Sequence, residues 1–221
     1  GTIYNNTLDS NGYGIYLWET TNITASDNTL SDHSDGIKLI RSHNNFFYNN
    51  YIGITSNDAI DLYESHGNVI DNNTLDSGSM TVHSSNNNDI FNNSVSDNWV
   101  GITLSFAATG NNLSFNNVSD NNELGISLWD VNNNKLFNNT IKDSNRGVYL
   151  SSSNGNQLIG NNGRAIGFTG KWIQLYGSDG NIISYNTVNM SSIGIELESS
   201  DGNSIFNNSM SDNEWGMYLE S

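Results

Sequence analysis

Among three glutamates near the end of the sequence, two have the residue type and spacing of a carbohydrate-cleaving pair. Glu196 and Glu198 are two residues apart, and Glu220 follows Glu198 after 22 residues. If the chain repeats with that period, Glu198 and Glu220 lie on adjacent turns, about 5 Å apart, which is the carboxylate separation of a retaining glycoside hydrolase. The same carboxylates would also bind a cation. The simpler interpretation is a solvated acidic edge.

Two other groups contain histidine. Asp61, Tyr63 and His83 have the side chains of an acid–base cluster. His43 and His66 each follow a serine and occupy equivalent positions of the repeat described below, where they could bridge a metal, but two histidines without a third ligand are a poor site. We therefore assign no metal site and no catalytic residue. The candidates for catalysis are Glu196, Glu198, Glu220, Asp61 and His83.

Composition excludes several classes of protein. The formal net charge is −16 with only seven Lys and Arg, so a nucleic-acid partner is not expected, because phosphate binding needs a basic patch. Cysteine and proline are absent, so there are no disulfides. No apolar run approaches the roughly 18 residues of a membrane span. No nucleophile elbow, phosphate loop or zinc motif occurs.

An apolar pair with the pattern I-x-L repeats ten times, at spacings of 20 to 25 residues. Its first members are Ile15, Ile37, Ile60, Met80, Ile102, Ile126, Val148, Ile173, Ile195 and Met217. A glycine precedes most of these pairs, which predicts a corner with positive φ or tight backbone. Ala59, Ser79 and Trp172 replace that glycine, and the stretch 164–172 is the one candidate for a protruding loop.

Asparagine, 42 of 221 residues, follows the same period. Two apolar columns five residues apart run through the repeats, beginning at Ile3 and Leu8, and an Asn always stands two residues before the second column. These are Asn6, Asn28, Asn50, Asn73, Asn93, Asn116, Asn139, Asn161, Asn186 and Asn208. Asn tolerates the left-handed backbone of a sharp corner. We predict that these residues face inward and form a ladder, each amide bonding its copies on adjacent coils.

The period and the short alternating apolar runs predict the fold. Helical repeats need a longer period and a 3.6-residue stripe. About 22 residues with three short strands instead make one coil, and coils stack about 4.8 Å apart. The chain is predicted to be an all-β, right-handed parallel β-helix solenoid of about ten coils, forming one domain over 1–221. We expect it to be a segment of a longer solenoid or a stacking unit of an assembly.

The motif N-x-I-x-x-N-x-L followed by G-I-x-L resembles the right-handed parallel β-helix repeat family. It is similar to the NosD-like and carbohydrate-binding or sugar-hydrolase repeats of archaeal surface proteins, over the whole chain. The resemblance implies the fold firmly. It implies a function only broadly, since such repeats occur in polysaccharide lyases and hydrolases, epimerases, adhesins and sheath proteins.

Two columns should point outward from the I-x-L strand. The central column is Tyr16, Lys38, Asp61, Thr81, Thr103, Ser127, Tyr149, Gln174, Glu196 and Tyr218. The ring column is Trp18, Ile40, Tyr63, His83, Ser105, Trp129, Ser151, Tyr176, Glu198 and Glu220. Rings among short polar groups suit a sugar-binding face, with Trp18, Tyr63, Trp129, Tyr149 and Tyr176 as glycan-binding candidates. The alternative is cross-strand packing or contact with a neighbouring protein.

Surface modification and calcium are further possibilities at the turns. Sequons of the N-x-[ST] type occur at Asn5, Asn22, Asn72, Asn92, Asn112, Asn117, Asn138, Asn189 and Asn207, which are glycosylation candidates. Turn acids recur at Asp32, Asp97, Asp120, Asp143 and Asp212. Asx-turns account for these acids, and calcium along their edge is the alternative. No other cofactor is expected.

Coil length discriminates between scaffold and enzyme. β-Helix enzymes build clefts from long loops, whereas these coils vary only from 20 to 25 residues. We therefore expect an extracellular, cell-surface module with a structural or adhesive role in a filament or sheath-type assembly. Glycosylation of the module and polysaccharide binding on its outer face are further expectations. The partners expected are further copies of the chain, or neighbouring coils, stacked end to end. The alternative function is a polysaccharide lyase or glycoside hydrolase of the parallel β-helix type.

Overall fold

A computed structural model of the chain describes residues 1–167 and 169–221. These residues form thirty short β-strands and no helix. In chain order the strands are β1 Thr2–Tyr4, β2 Thr7–Asp9, β3 Tyr13–Trp18, β4 Thr24–Ser26, β5 Thr29–His33, β6 Asp35–Ile40, β7 Phe46–Tyr48, β8 Tyr51–Thr55, β9 Asp58–Tyr63, β10 Val69–Asp71, β11 Thr74–Asp76, β12 Ser79–His83, β13 Asp89–Phe91, β14 Ser94–Ser96, β15 Val100–Ser105, β16 Asn112–Ser114, β17 Asn117–Ser119, β18 Leu124–Trp129, β19 Lys135–Phe137, β20 Thr140–Ser144, β21 Arg146–Ser151, β22 Gln157–Ile159, β23 Asn162–Ala165, β24 Lys171–Tyr176, β25 Ile182–Ser184, β26 Thr187–Asn189, β27 Ile193–Glu198, β28 Ser204–Phe206, β29 Ser209–Ser211 and β30 Trp215–Glu220. Over the same described range, nothing helical is long and apolar enough to span a membrane.

Every third strand belongs to the same sheet. The first sheet holds β1 and each third strand up to β28, the second runs from β2 to β29, and the third runs from β3 to β30. Pairing is parallel, and each residue column meets its own copy, as where Ile15 pairs with Ile37 and Leu17 with Leu39. Three consecutive strands therefore make one coil, and ten coils stack into the predicted parallel β-helix.

Burial follows the alternation of side chains along each strand. Both members of every I-x-L pair from Ile15 to Leu197 are buried. The two other apolar columns, represented by Ile90 and Val95, also point inward and are fully buried. Because successive strand residues face opposite sides, the residues between them face outward, and the third sheet acquires the outer columns defined above.

The asparagine ladder is confirmed. From Asn6 to Asn186 each side-chain Nδ2 donates to Oδ1 of the ladder Asn on the next coil, at 2.9–3.1 Å. Each Oδ1 also accepts the backbone N–H of the preceding ladder residue, as Asn139 does from Asn116 at 3.0 Å. A second donor contact reaches back to a carbonyl of an earlier coil, as from Asn116 to Ile90 at 2.9 Å. These buried amides are thus satisfied by one another and by the corner backbone.

The left-handed backbone at this corner lies one residue earlier than predicted. The residue before each ladder Asn has positive φ in all ten coils. These residues are Asn5, Asp27, Asn49, Asn72, Asn92, Phe115, Asn138, Gly160, Tyr185 and Asn207. Asn and Asp fill seven of the ten positions, which explains the doubled NN of the repeat, since these side chains tolerate αL best after glycine.

A second inward ladder occupies the corner between the third and first sheets, and the sequence interpretation missed it. Its members are Asn45, Asn68, Asn88, Asn111, Asn134, Asn156, Asn181 and Asn203. From Asn45 to Asn181 the side-chain amides are 3.0–3.3 Å apart. The signal was present as the first Asn of N-x-I-x-x-N, two residues before the first apolar column.

The glycine before the I-x-L pair is required by close packing rather than by positive φ. A Cβ at Gly14 would lie 2.6 Å from the carbonyl oxygen of Gly36 and 2.5 Å from a Leu30 methyl. In the eighth coil Trp172 stands at this position, fully buried, and its Nε1 donates to the carbonyl of Ile141 at 3.0 Å. That coil contains the predicted loop 164–172, of which Phe168 lies outside the described residues; Ala165 and Trp172 within it are buried, whereas Ile166 is 46% exposed.

Candidate functional site

The outer face of the third sheet presents the predicted glycan-binding rings to solvent. Trp18 is 57% exposed, Tyr63 41%, Trp129 61% and Tyr176 47%. All four lie in the ring column, in register along parallel strands. Tyr149 belongs to the central column and is half-buried.

Neighbouring side chains orient some of these rings. His83 stacks on Tyr63, with ring centroids 4.9 Å apart and planes 15° from parallel. The Arg146 guanidinium lies 5.3 Å from the ring centre of Tyr149, a cation–π distance. Trp129 and Tyr176 are separated in register by Ser151, whose small side chain leaves space between the two rings.

The central column differs from the expectation of a uniformly solvent-facing row. Ser127 is 4% exposed, Gln174 6% and Glu196 5%. They face away from the core, so flanking side chains must cover them, and Lys171 is one: its Nζ lies 2.6 Å from Oε2 of Glu196. The interpretation of Glu196 as part of a solvated acidic edge is therefore wrong.

Glu198 and Glu220 stand in register on adjacent strands, as the period predicted. Glu196 pairs in register with Tyr218, whose hydroxyl donates to Oε2 of Glu220 at 3.3 Å. The negative charge of Glu220 raises the pKa of Tyr218. Glu198 and Glu220 are thus neighbours in register, whereas Glu196 forms an ion pair with Lys171.

Asp61 is engaged away from the Tyr63–His83 stack. Its carboxylate lies 2.8 Å from Nζ of Lys38, which also contacts Asp35 at 3.3 Å. These two acids raise the pKa of Lys38 against the opposing effect of its partial burial. Asp58 completes the cluster, and burial raises its pKa although Ser79 and Thr81 donate hydrogen bonds to it.

His43 and His66 stack as the repeat predicted, with centroids 5.0 Å apart and planes 6° from parallel. Nδ1 of His43 accepts the backbone N–H of His66 at 3.0 Å, and Nδ1 of His66 accepts that of Asn86 at 2.9 Å. A ring nitrogen that accepts an N–H carries no proton, so each neutral ring has its proton on Nε2. Asn86 occupies the next position after His43 and His66, and its Oδ1 accepts the backbone N–H of Thr109.

The turn positions have a backbone explanation. All five turn acids have positive φ, a backbone conformation that Asp and Asn tolerate better than most other residues. The nine sequon asparagines are exposed or half-buried. Their side chains thus lie where a glycan would fit, and glycosylation stays a prediction.

Basic residues beside the rings were not singled out by the sequence interpretation. Arg146 and Lys171 pair in register at the start of adjacent strands. Arg146 contacts Glu123 at 3.5 Å, and Lys171 contacts Glu196. The sequence did contain a signal for this pair. The chain has only seven Lys and Arg and a net charge of −16, yet two of these basic residues occupy the same position of the repeat.

The coils and the solvent-facing rings define a parallel β-helix repeat protein, and solved structures share this architecture. The Azotobacter vinelandii mannuronan C-5 epimerase AlgE4 A-module superposes with a TM-score of 0.73 at 15% identity, over 89% of this chain and 62% of that one. The Streptococcus pneumoniae surface protein and adhesin PfbA gives 0.65 at 11% identity, over 91% and 77%. A mutant of the periplasmic alginate epimerase AlgG gives 0.55 at 21% identity, over 95% and 50%. At these identities the likeness concerns the fold alone.

A comparison of the sequence with family models identifies the family of this chain. The model of the family described as "Periplasmic copper-binding protein (NosD)" matches residues 1–98, 53–166 and 161–221, so the chain belongs to the NosD family. A comparison with curated proteins finds no match.

Three of the four histidines of this chain, His33, His43 and His66, are poorly placed to bind copper. Copper prefers imidazole, thiolate and thioether ligands, and the chain has no cysteine. His33 has both ring nitrogens within 3.2 Å of backbone groups. In His43 and His66, Nδ1 accepts a backbone N–H, so the ring proton is on Nε2. A metal on Nε2 would have to displace that proton. In the described ranges, one group of three His, Cys, Asp or Glu side chains has its ligand atoms close enough to share a metal ion: Asp35, Asp58 and Asp61. The ammonium group of Lys38 already contacts Asp35 and Asp61 of this group.

Proposed function

We propose that this chain is an extracellular or periplasmic β-helix module that binds a polysaccharide along the ring column, in a structural or adhesive role at the cell surface. The observation that carries the proposal is the exposure of Trp18, Tyr63, Trp129 and Tyr176 in one column. Exposed rings beside polar groups recognise sugars, because apolar sugar faces stack on them while hydroxyls take hydrogen bonds.

The comparisons support the setting of this proposal. The family description is periplasmic, PfbA is a surface adhesin, and the two epimerases are named for alginate and mannuronan. Assembly of copies into a filament or sheath, with glycans on the sequons, is the more specific form of the same proposal.

Binding is tested with a panel of neutral and acidic oligosaccharides, followed by tryptophan fluorescence and calorimetry. Trp129→Ala should weaken binding several-fold and leave the fold intact. The matched control is Trp99→Ala, because Trp99 is 69% exposed and lies outside the third sheet. If no oligosaccharide binds, or if both variants lose affinity equally, the ring column is a packing or assembly surface instead.

A glycoside hydrolase or lyase is the second candidate, favoured by the register of Glu198 with Glu220. Adjacent strands place the backbones of the two residues about 4.8 Å apart, close to the carboxylate separation of a retaining pair. Product formation from the same panel, lost in Glu198→Gln and Glu220→Gln, would favour the enzyme. Binding without turnover would favour the module.

A further inference from the structure

Basic residues are concentrated in one short stretch of an otherwise acidic chain. The stretch from residue 135 to residue 171 contains five of the seven Lys and Arg: Lys135, Lys142, Arg146, Arg164 and Lys171. Asp143 is the only acid in it, so its net charge is +4, whereas the rest of the chain, with two bases and 22 acids, carries −20. The seventh and eighth coils therefore form a positive band on an acidic solenoid.

Two of these bases lie side by side on the outer face of the second sheet. Lys142 on β20 pairs in register with Arg164 on β23. Ile141 is fully buried, so Lys142 next to it faces outward, and its side chain is exposed. Like charges opposite each other on neighbouring strands repel. A positive pair in this arrangement favours a partner of opposite charge.

The protein neutralises this pair only in part. Asp143 lies 2.7 Å from Nε of Arg164, whose side chain is 44% exposed. In the part of the chain that the structure describes, the terminal nitrogens of Arg164 form no hydrogen bond, since its one side-chain contact is through Nε. Lys142 takes part in none of the ion pairs of that part. Both bases thus keep donors for a ligand.

An open depression gives a ligand access to these donors. Its volume is about 290 Å³, and its lining includes Lys142, Arg164, Thr140, Asn162, Thr187 and Asn189. Pairing of β23 with the next strand of the sheet, β26, ends at Gly163 and Val188, so Arg164 has no paired residue on that side. Asn162 and Thr187 are exposed. The two bases and the neutral polar groups therefore face the same solvent-filled space.

These groups indicate a carboxylate as the ligand. The terminal nitrogens of an Arg present parallel N–H donors that match the two oxygens of a carboxylate, and a neighbouring Lys adds a point charge. Thr hydroxyls and Asn amides both donate to and accept from the hydroxyl groups of a sugar. The acidic remainder of the surface repels a polyanion, so the positive band is where one can approach. A sugar that carries a carboxylate meets all of these conditions.

We propose that Lys142 and Arg164 form a subsite for the carboxylate of a uronate residue in an acidic polysaccharide. Thr140, Asn162 and Thr187 supply hydrogen bonds to the hydroxyl groups of the same sugar. The subsite belongs to the second sheet and the ring column to the third, so this site goes beyond the proposed function and does not depend on it. A bound carboxylate also relieves the repulsion between the two bases.

Calorimetry with hexagalacturonate and with its carboxyl-reduced form, which keeps the linkages and lacks the charges, tests the subsite. Wild type should bind the uronate more tightly, and added salt should weaken that preference. Lys142→Gln and Arg164→Gln should each lower the affinity for hexagalacturonate about tenfold, as the loss of a hydrogen bond to a charged group does. Arg164→Lys should lower it too, because it keeps the charge and loses the parallel donors.

Lys135→Gln is the matched control. It removes the same charge from the same coil, but Lys135 is exposed on β19 of the first sheet, so the affinity should be retained. The proposal is wrong if wild type does not bind hexagalacturonate or binds both hexasaccharides equally, or if the control loses as much affinity as Lys142→Gln. Tighter binding of a sulfated hexasaccharide would overturn the assignment of a uronate.

A Trp129→Ala background keeps this proposal apart from the ring column. The preference for hexagalacturonate over its reduced form should persist there, and it should still depend on Lys142. Loss of the preference in that background would assign the uronate to the ring column and overturn the subsite. Persistence of the preference, with no other oligosaccharide bound by wild type, would leave the subsite standing while the ring column fails.

Discussion

The amide of Asn116 shows why an interior position of this protein is polar. It donates to Oδ1 of Asn139 at 3.0 Å and to the carbonyl of Ile90 at 2.9 Å. Its Oδ1 accepts from both the backbone and the side-chain nitrogen of Asn93 at 3.0 Å. One side chain thus satisfies groups on both sides of the corner, which no apolar residue can do.

We predict that Asn116→Leu strongly destabilises the chain. Two donors of Asn93 and the carbonyl of Ile90 would lose a partner while buried, at about 1–3 kcal/mol for each unsatisfied group. Chemical denaturation measures the loss. Asn117→Leu is the control, because Asn117 is exposed and surface changes usually stay within about 0.5 kcal/mol. Equal stability of the two variants would contradict the buried-ladder account.

The stacked histidines give a second prediction, on pH. Burial, and then the charge of His43, lowers the pKa of His66, while Glu64 opposes the shift. The unfolded chain therefore binds a proton more readily than the folded chain, so stability should fall as pH drops through about 6.5 towards the lowered value. Protonation would also place a hydrogen on Nδ1, which faces the N–H of Asn86.

The variant His66→Asn should remove this part of the pH dependence. Asn is the residue that continues the same column, where Asn86 accepts the N–H of Thr109, so the hydrogen bond is retained without a titrating group. Melting temperatures at about pH 7.5 and pH 5.5 measure the difference, which should be smaller in the variant. An unchanged difference would show that His66 does not titrate in that window.

In the eighth coil, two exceptions to the repeat compensate for each other in side-chain volume. Gly163 stands where the other coils carry an apolar residue, and Trp172 stands where most carry glycine. A Cβ at Gly163 would lie 2.7 Å from Nε1 of Trp172. The indole therefore fills the core volume that Gly163 leaves, and the two exceptions to the repeat form one packing unit.

We predict that Trp172→Ala costs about 3–5 kcal/mol, as large-to-small changes of buried aromatics do. Trp172→Phe should cost less, because it keeps most of the volume and loses the hydrogen bond to Ile141. The exposed Trp129→Ala serves as the control in thermal unfolding. The account would be wrong if the three variants melted together.

The strands, their register and the core columns were predictable, because a period of about 22 residues imposes one environment on each column. The second ladder was predictable too, since Asn45 and its copies recur just as regularly. Burial of Gln174 and Glu196 was not, because alternation only says that they face outward. What covers them depends on long side chains such as Lys171, whose direction no period determines.

Across the whole molecule, stacking buries the apolar columns of the inner coils, whereas Ile3 and Leu8 in the first coil and Ile205 and Met210 in the last coil are only partly buried. Met217 is 43% exposed and Leu219 67%, although their copies Ile195 and Leu197 are buried. A polypeptide of these 221 residues alone therefore presents apolar side chains and a strand edge, β30, that another coil would cover.

We predict that this 221-residue polypeptide self-associates at about micromolar concentration, where open edges and exposed apolar surface drive association. Leu219→Lys should shift it towards monomer in sedimentation velocity. Phe106→Lys is the control, because Phe106 is 60% exposed on the side of the solenoid. A dispersed wild-type monomer would contradict the end-to-end interpretation, which stays a prediction until then.

The first asparagine ladder also has a direction. Every side-chain amide from Asn6 to Asn186 donates towards the next coil and none of these links is reversed. Amide dipoles aligned in one line polarise one another and add, whereas the backbone of a sheet contributes little net dipole. The solenoid is therefore an electrically polar rod, with a positive sense towards its last coil. The aligned dipoles therefore favour a head-to-tail junction of two such rods over a head-to-head junction, which would set like ends of their dipoles against each other.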